Sequence, residues 1–74
     1  MSNYGVVLFH TTSSAMRAEK TLIQQGLAIK MIPTPRQFSS DCGIALRFDG
    51  RLTKSVSDIL DKACVEIAGI HSLS

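Results

Sequence analysis

Six short apolar segments alternate between the periodicities of strands and helices, and their order is the strongest constraint on the fold. Runs rich in β-forming residues cover residues 4–10, 27–32 and 43–48, and a weaker run covers residues 67–73. Apolar residues at helical spacing follow the first and the third run. This βαββαβ order, with right-handed crossovers, predicts an α+β fold. We expect a ferredoxin-like α/β sandwich, with a four-stranded antiparallel sheet and both helices on one face.

The ends of the two predicted helices carry recognisable signals. Thr12 or Ser13 is a plausible N-cap of the first helix, and Gly26 lies where a C′ glycine would end it. The second helix is expected to begin near Thr53, after the Asp49–Gly50 turn signal. The apolar positions expected to face the sheet are Ala15, Ala18 and Leu22 in the first helix and Leu52, Val56, Ile59, Leu60 and Ala63 in the second.

Size and composition exclude several classes of protein. The 74 residues suit one small domain, which we expect to span residues 1–74, and the 45% apolar content is enough for a single core. No run approaches the roughly 18 apolar residues that span a membrane, and no secretory signal is recognisable at the N-terminus. We therefore expect a cytoplasmic protein that does not bind membranes.

Charge and residue types argue against several kinds of site. The net charge is only +2, the basic residues are scattered, and there are four aromatic residues, so no nucleic-acid interface is expected. Neither Cys42 and Cys64 nor His10 and His71 have metal-ligand spacing, so we expect no metal and no cofactor. No set of nucleophile, base and orienting residue is visible, so a non-enzymatic role is favoured over catalysis.

The stretch from residue 31 to residue 48 is the best candidate for a functional segment. Pro33 and Pro35 are expected to stop the strand before them and to stiffen the loop, and Gly43 is expected to let the chain bend after Cys42. Such a loop could present a thiol. An ordinary hairpin loop with an incidental cysteine explains the same residues equally well.

The predicted topology places Cys42 at the end of the sheet where the first strand finishes. His10, Thr11, Thr12 and the first turn of the first helix are therefore expected nearby. A helix N-terminus and the Arg36 cation would both favour thiolate over thiol, and we expect a shallow, exposed site. The simpler interpretation of His10 is that it is a side chain at the end of a strand and has no functional role.

Two further features leave alternatives open. Cys64 lies in the last predicted helical turn at the same edge of the sheet, where it could resolve a modified Cys42 or simply pack as a small apolar residue. The sheet face away from the helices carries Ala45 and Arg47. If Val7 and Phe9 also lie there, an exposed apolar patch would favour a homodimer or a docking face.

Part of the chain resembles a known family. The pattern Pro35-Arg36, then Ser39-Ser40-x-Cys42-Gly43, is similar to that of small bacterial selenium/sulfur (Se/S) carrier protein-like proteins, as are residues 15–20 followed by Gly26. The resemblance implies a persulfide or selenosulfide held on Cys42, with donor and acceptor proteins as partners. It implies that Arg36, Ser39, Ser40 and Gly43 surround this cysteine. A small anion-binding regulatory or interaction module without covalent chemistry is the alternative.

Overall fold

The computed structural model describes residues 3–38 and 42–72. Its strands are β1 (Tyr4–Leu8), β2 (Ile29–Pro33), β3 (Ile44–Asp49) and β4 (Gly69–Ser72). Its α-helices are α1 (Thr12–Gln24) and α2 (Thr53–Lys62), and a 3₁₀ turn, Gly50–Leu52, precedes α2. The weak C-terminal run is thus a strand, as predicted, although it is shorter than expected.

The strands form one antiparallel sheet in the order β2-β3-β1-β4. With the helices after β1 and β3, this is the predicted ferredoxin-like α+β fold. β3 lies between β1 and β2 and runs antiparallel to both, so the start of β3 and the finish of β1 share one end of the sheet. Among the described residues, neither helix is long and apolar enough to cross a membrane.

The core lies between the helices and one face of the sheet. Ala15, Ala18 and Leu22 of α1 are fully buried, as predicted from their spacing. Because Ala15 and Ala18 have small side chains, the helix backbone can approach the sheet closely. The other large buried side chains of this layer are Val7, Phe9, Leu46, Phe48, Val56 and Leu60.

The strand before the two prolines ends at Pro33, as predicted, although Pro33 itself still belongs to the strand. Pro33 is the last residue of β2 and pairs with Ile44 of β3. Pairing continues one residue further, because the Thr34 amide donates to the Gly43 carbonyl at 3.0 Å. The sheet tolerates this proline because β2 is an edge strand, where an N–H that faces away from the sheet is not needed.

Both helices end with the same hydrogen-bond pattern. After α1, the Gly26 amide donates to the Ile23 carbonyl and the Leu27 amide to the Leu22 carbonyl. Gly26 has φ +81°, as its predicted C′ role requires.

Cys64 occupies the equivalent position after α2. Its amide donates to the Asp61 carbonyl, the Val65 amide donates to the Leu60 carbonyl, and its own φ is +57°. A residue with a Cβ is disfavoured in this left-handed conformation by about 1–2 kcal/mol. Glycine would adopt the same backbone conformation without that cost.

The start of α1 differs from the prediction by one residue. Thr11 is the N-cap, and its hydroxyl accepts a hydrogen bond from the Ser14 amide at 3.1 Å. Thr12 is therefore the first residue inside the helix, and its hydroxyl is not the one that caps the helix. This shift of one position affects the surroundings of Cys42, described below.

The Asp49–Gly50 turn forms where the sequence predicts it. The Asp49 carboxylate accepts hydrogen bonds from the Arg51 guanidinium and the Arg51 amide, and these bonds lower the pKa of Asp49. A lowered carboxylate pKa adds stability above the ordinary aspartate pKa and loses it as pH falls through the lowered one. The pair is exposed, so its contribution is small.

The second sheet face is not organised as predicted. Val7 and Phe9 point toward the helices, whereas Val6, Leu8 and Ala45 lie on the second face. These three residues are nevertheless buried, because Ile32 and Phe38 pack against them. The condition for an exposed apolar patch, that Val7 and Phe9 lie on this face, is therefore not met.

Phe38 closes this second, smaller core from the β2–β3 loop. Its ring stacks on the His71 ring with the centroids 4.5 Å apart and an interplanar angle of 23°. The loop that leads to Cys42 is thus anchored on the face of the sheet opposite to the helices.

Candidate functional site around Cys42

Cys42 lies at the end of the sheet where β1 finishes, two residues before β3 begins. The β1–β3 register pairs Leu8 with Ala45, so the residues after Leu8 and those before Ala45 lie at one edge. α1 begins at this same edge. The predicted proximity of Cys42 to the opening of α1 is confirmed by a specific contact with Thr12.

The thiol is buried, which corrects the expectation of a shallow, exposed site. Cys42 is 3% exposed and belongs to the same apolar cluster as Phe9 and Ala15. The reason is the alternation of the strand that follows. Ile44, Leu46 and Phe48 all face the helices, and this two-residue period extends backwards to Cys42.

The Thr12 side chain contacts the sulfur at the edge of this apolar cluster. Thr12 Oγ1 lies 3.9 Å from Cys42 Sγ, near the outer limit for a hydrogen bond between a hydroxyl and a sulfur atom. Thr12 itself is exposed, so the contact lies between the buried sulfur and the solvent. The first turn of α1 also places the positive end of the helix dipole at this position.

Two hydrogen bonds from Thr34 hold the backbone around Cys42. The Thr34 hydroxyl donates to the Cys42 carbonyl at 2.9 Å, and the Thr34 amide donates to the Gly43 carbonyl at 3.0 Å. Sequence reasoning did not select Thr34. Its position between two prolines, next to an edge strand, was the available signal.

Two of the other predicted site residues, His10 and Arg36, lie on the surface. His10 is exposed at the same end of the sheet, and Arg36 is exposed in the turn closed by a 3.0 Å hydrogen bond from the Phe38 amide to the Pro35 carbonyl. Ser39 and Ser40 lie outside the described residues.

Gly43 does not have the conformational role that the sequence suggested. It does not adopt a positive φ, and a Cβ added there would meet nothing within 4 Å. The prediction that the bend after Cys42 requires a glycine is therefore wrong, although the residue remains part of the family-like pattern.

Cys64 is exposed and also lies at this end of the molecule. The segment after α2 returns to the finish of β1, where the Ala68 amide donates to the Leu8 carbonyl at 2.7 Å and Gly69 pairs with Leu8. The two cysteines form no disulfide. The protein thus combines a buried thiol and an exposed thiol at one edge of the sheet.

Concave surface occurs at the other end of the sheet. One depression of about 590 Å³ is lined by residues that include Tyr4, Arg51 and His71, and another of about 340 Å³ is lined by residues that include Lys30 and Arg47. Within residues 3–38 and 42–72, no three histidine, cysteine or acidic side chains are grouped to hold a metal ion.

Comparison with protein families finds one family that the chain matches over most of its length. Residues 4–72 match the family described as "Putative Se/S carrier protein-like". The chain belongs to this family. The resemblance of the Pro-Arg and Ser-Ser-x-Cys-Gly pattern is thereby confirmed at the level of the family. Neither the curated proteins nor the solved structures contain a match to the chain.

Proposed function

We propose that the protein carries a sulfur or selenium atom on Cys42 and passes it to an acceptor protein. The observation that supports this most directly is the contact between Cys42 Sγ and the first residue of α1, in a chain that belongs to a Se/S carrier-like family. A hydroxyl donor and a helix N-terminus both favour the thiolate, and the thiolate is the nucleophilic form of cysteine.

The transfer would be a redox-neutral exchange of sulfur. The Cys42 thiolate attacks the terminal sulfur of a donor persulfide, the donor's S–S bond breaks, and the donor thiolate leaves with its electron pair. Cys42 then carries the transferred sulfur as a persulfide. In unloading, an acceptor thiolate attacks that outer sulfur and Cys42 leaves as a thiolate.

Burial of the sulfur has a consequence for this chemistry. Attack requires the donor sulfur to reach Sγ, which is 3% exposed in the resting protein. Donor and acceptor proteins must therefore displace side chains that cover the sulfur. A buried carrier thiol would also protect its cargo from other thiols between transfers.

Intact mass measurement tests the carrier proposal. Cys64→Gly leaves Cys42 as the single thiol and suits the left-handed backbone at position 64. After incubation with a small-molecule persulfide, we expect a gain of about 32 mass units, one sulfur atom, that an acceptor thiol removes. The matched control, Cys42→Ser with Cys64 retained, should carry no transferable sulfur.

The opposite distribution would contradict the proposal. Sulfur found on Cys64 alone, or no adduct on Cys42 under conditions that load other protein thiols, would exclude Cys42 as the carrier. Normal loading and unloading in Cys64→Gly would also show that Cys64 is not a resolving residue.

The remaining members of the pattern have proposed supporting roles. Arg36 is proposed to attract the anionic cargo, and Ser39, Ser40, Gly43 and His10 are proposed to assist in binding it. The alternative function, anion binding without covalent chemistry, would also use the exposed Arg36. Cys42→Ser distinguishes the two, because it removes a carrier and leaves binding of an anion such as selenite almost unchanged.

We propose donor and acceptor proteins as partners and a cytoplasmic location, which cell fractionation would check. A homodimer through the second sheet face is a further proposal. Because Phe38 covers the centre of that face, such a dimer would use its rim, where Tyr4 is 41% exposed. Sedimentation at high protein concentration tests it, and a monomer there would contradict it.

A further inference from the structure

We propose that Thr12 stabilises the Cys42 thiolate by donating a hydrogen bond from its hydroxyl to Sγ. For sulfur transfer, this inference rests on the proposed carrier function. The hydrogen bond itself rests on the geometry alone. Neither the family-like pattern nor the loop around Cys42 contains Thr12, which is 30 positions away in the sequence.

The hydroxyl of Thr12 is available for this role because its neighbour performs the capping. Thr11 Oγ1 accepts from the Ser14 amide and lies 3.1 Å from the Ser14 hydroxyl. Thr12 is the next residue, inside the helix, and its Oγ1 lies 3.9 Å from the sulfur. At the start of α1, Thr11 thus caps the helix, while the adjacent Thr12 contacts the sulfur.

The direction of the hydrogen bond depends on the ionisation of the sulfur. With a neutral thiol, either atom can be the donor. A thiolate has no proton, so only the threonine hydroxyl can donate. The interaction is then charge-assisted and stronger than between neutral groups, so it favours the ionised form.

The backbone of Cys42 is held so that the contact persists. Thr34 binds the carbonyl groups of both Cys42 and Gly43 and ties this segment to the end of β2. The cysteine side chain also packs within the apolar cluster. Because an apolar environment opposes ionisation, a hydroxyl donor has a larger relative effect here than at an exposed cysteine.

The same hydrogen bond would assist both directions of sulfur transfer. In loading, Cys42 attacks as a thiolate. In unloading, it leaves as a thiolate, with the electron pair of the broken S–S bond. Negative charge develops on Sγ in both steps, and Thr12 is positioned to stabilise that charge. Since Thr12 is exposed, reacting groups would approach the sulfur past this residue.

Alkylation rates in the Cys64→Gly background test the inference. Thr12→Val keeps the branched shape and removes the hydroxyl, and Thr12→Ser restores a hydroxyl. We expect Thr12→Val to slow the reaction of Cys42 with iodoacetamide about five-fold at neutral pH. The two rates should converge at high pH, once the thiol is ionised in both proteins. Thr12→Ser should recover most of the native rate.

Thr53→Val is the matched control. Thr53 is also the first residue of a helix, and its hydroxyl donates to the Gly50 carbonyl at 2.7 Å at the other end of the molecule. This variant should have the native alkylation profile. Thr12→Ala serves as a second hydroxyl-free variant if valine disturbs folding.

The dependence of the alkylation rate on pH distinguishes an effect on thiolate formation from an effect on access to the sulfur. If Thr12→Val changed the rate by the same factor at every pH, it would act on access to the sulfur, and the inference would be overturned. An unchanged profile would overturn it as well. If the pH-dependent effect is present but the native protein accepts no sulfur from a persulfide, the thiolate inference stands and the carrier function fails.

Discussion

Replacement of Gly5 with alanine is expected to lower the free energy of unfolding by about 2–3 kcal/mol, the upper part of the range for an overpacked core. Gly5 lies in β1 directly opposite Phe48 of β3, and the Phe48 ring covers its Cα. An added Cβ would lie 2.5 Å from Phe48 Cζ. Phe48 is 2% exposed and belongs to the main core cluster, so displacing its ring would disturb the packing of that core.

The loss is large for a domain of this size. A chain of 74 residues has a total stability of about 4–11 kcal/mol, so this single methyl group could remove half of it. Chemical denaturation followed by circular dichroism measures the change.

Two further variants test the assigned cause. Gly43→Ala, for which the added Cβ meets nothing within 4 Å, should change stability by less than about 0.5 kcal/mol. In the double variant Gly5→Ala/Phe48→Leu, the smaller side chain should relieve the clash, so the two changes should cost less than their sum. Strict additivity would show that Phe48 is not what excludes a side chain at position 5.

Truncation of Leu22 to alanine is expected to cost about 3 kcal/mol, within the range for buried leucines. Leu22 is fully buried and faces the sheet from the last turns of α1. Its removal would leave a cavity between α1 and the sheet in a protein with one main core. Thermal and chemical unfolding should both report the loss.

The adjacent residue provides the control. Ile23 is 57% exposed on the same helical turn, so Ile23→Ala removes a similar side chain from the surface. This change should cost less than about 1 kcal/mol. Equal losses at positions 22 and 23 would contradict the assigned orientation of α1.

The regular elements were predictable because each rests on local patterns that agree with one another. The alternation of Ile44, Leu46 and Phe48 with Ala45 and Arg47 correctly predicted the helix-facing side of β3. The spacing of Ala15, Ala18 and Leu22 correctly predicted the buried side of α1. Gly26 ends its helix as predicted, because the left-handed conformation there favours glycine.

The position of the candidate site in the fold was predictable from the sequence, but the surroundings of the Cys42 side chain were not. Topology alone brought Cys42 to the beginning of α1, and the contact with Thr12 confirms that placement. Its burial was missed because the polar segment before it suggested an exposed loop. The period of β3 could have been extended back to position 42, which would have indicated a side chain facing the helices.

The residues of β1 that lie on the second face of the sheet could not be predicted, for a non-local reason. Which of Val6 and Val7 faces the helices depends on the phase of a short strand that is apolar at successive positions. No local pattern selects that phase. The covering of Val6 and Leu8 by Phe38, and the stacking of Phe38 on His71, join residues that are far apart in the chain.

The sequence by itself determined the order of strands and helices, the helix faces that pack on the sheet, and the cysteine that the family pattern marks. These features depend on periodicity and on residues a few positions apart, so they can be read locally. Only the tertiary structure decided that Cys42 is buried and that Thr12 contacts its sulfur. Both depend on how separate elements pack, because the surroundings of a side chain come mostly from residues distant in sequence.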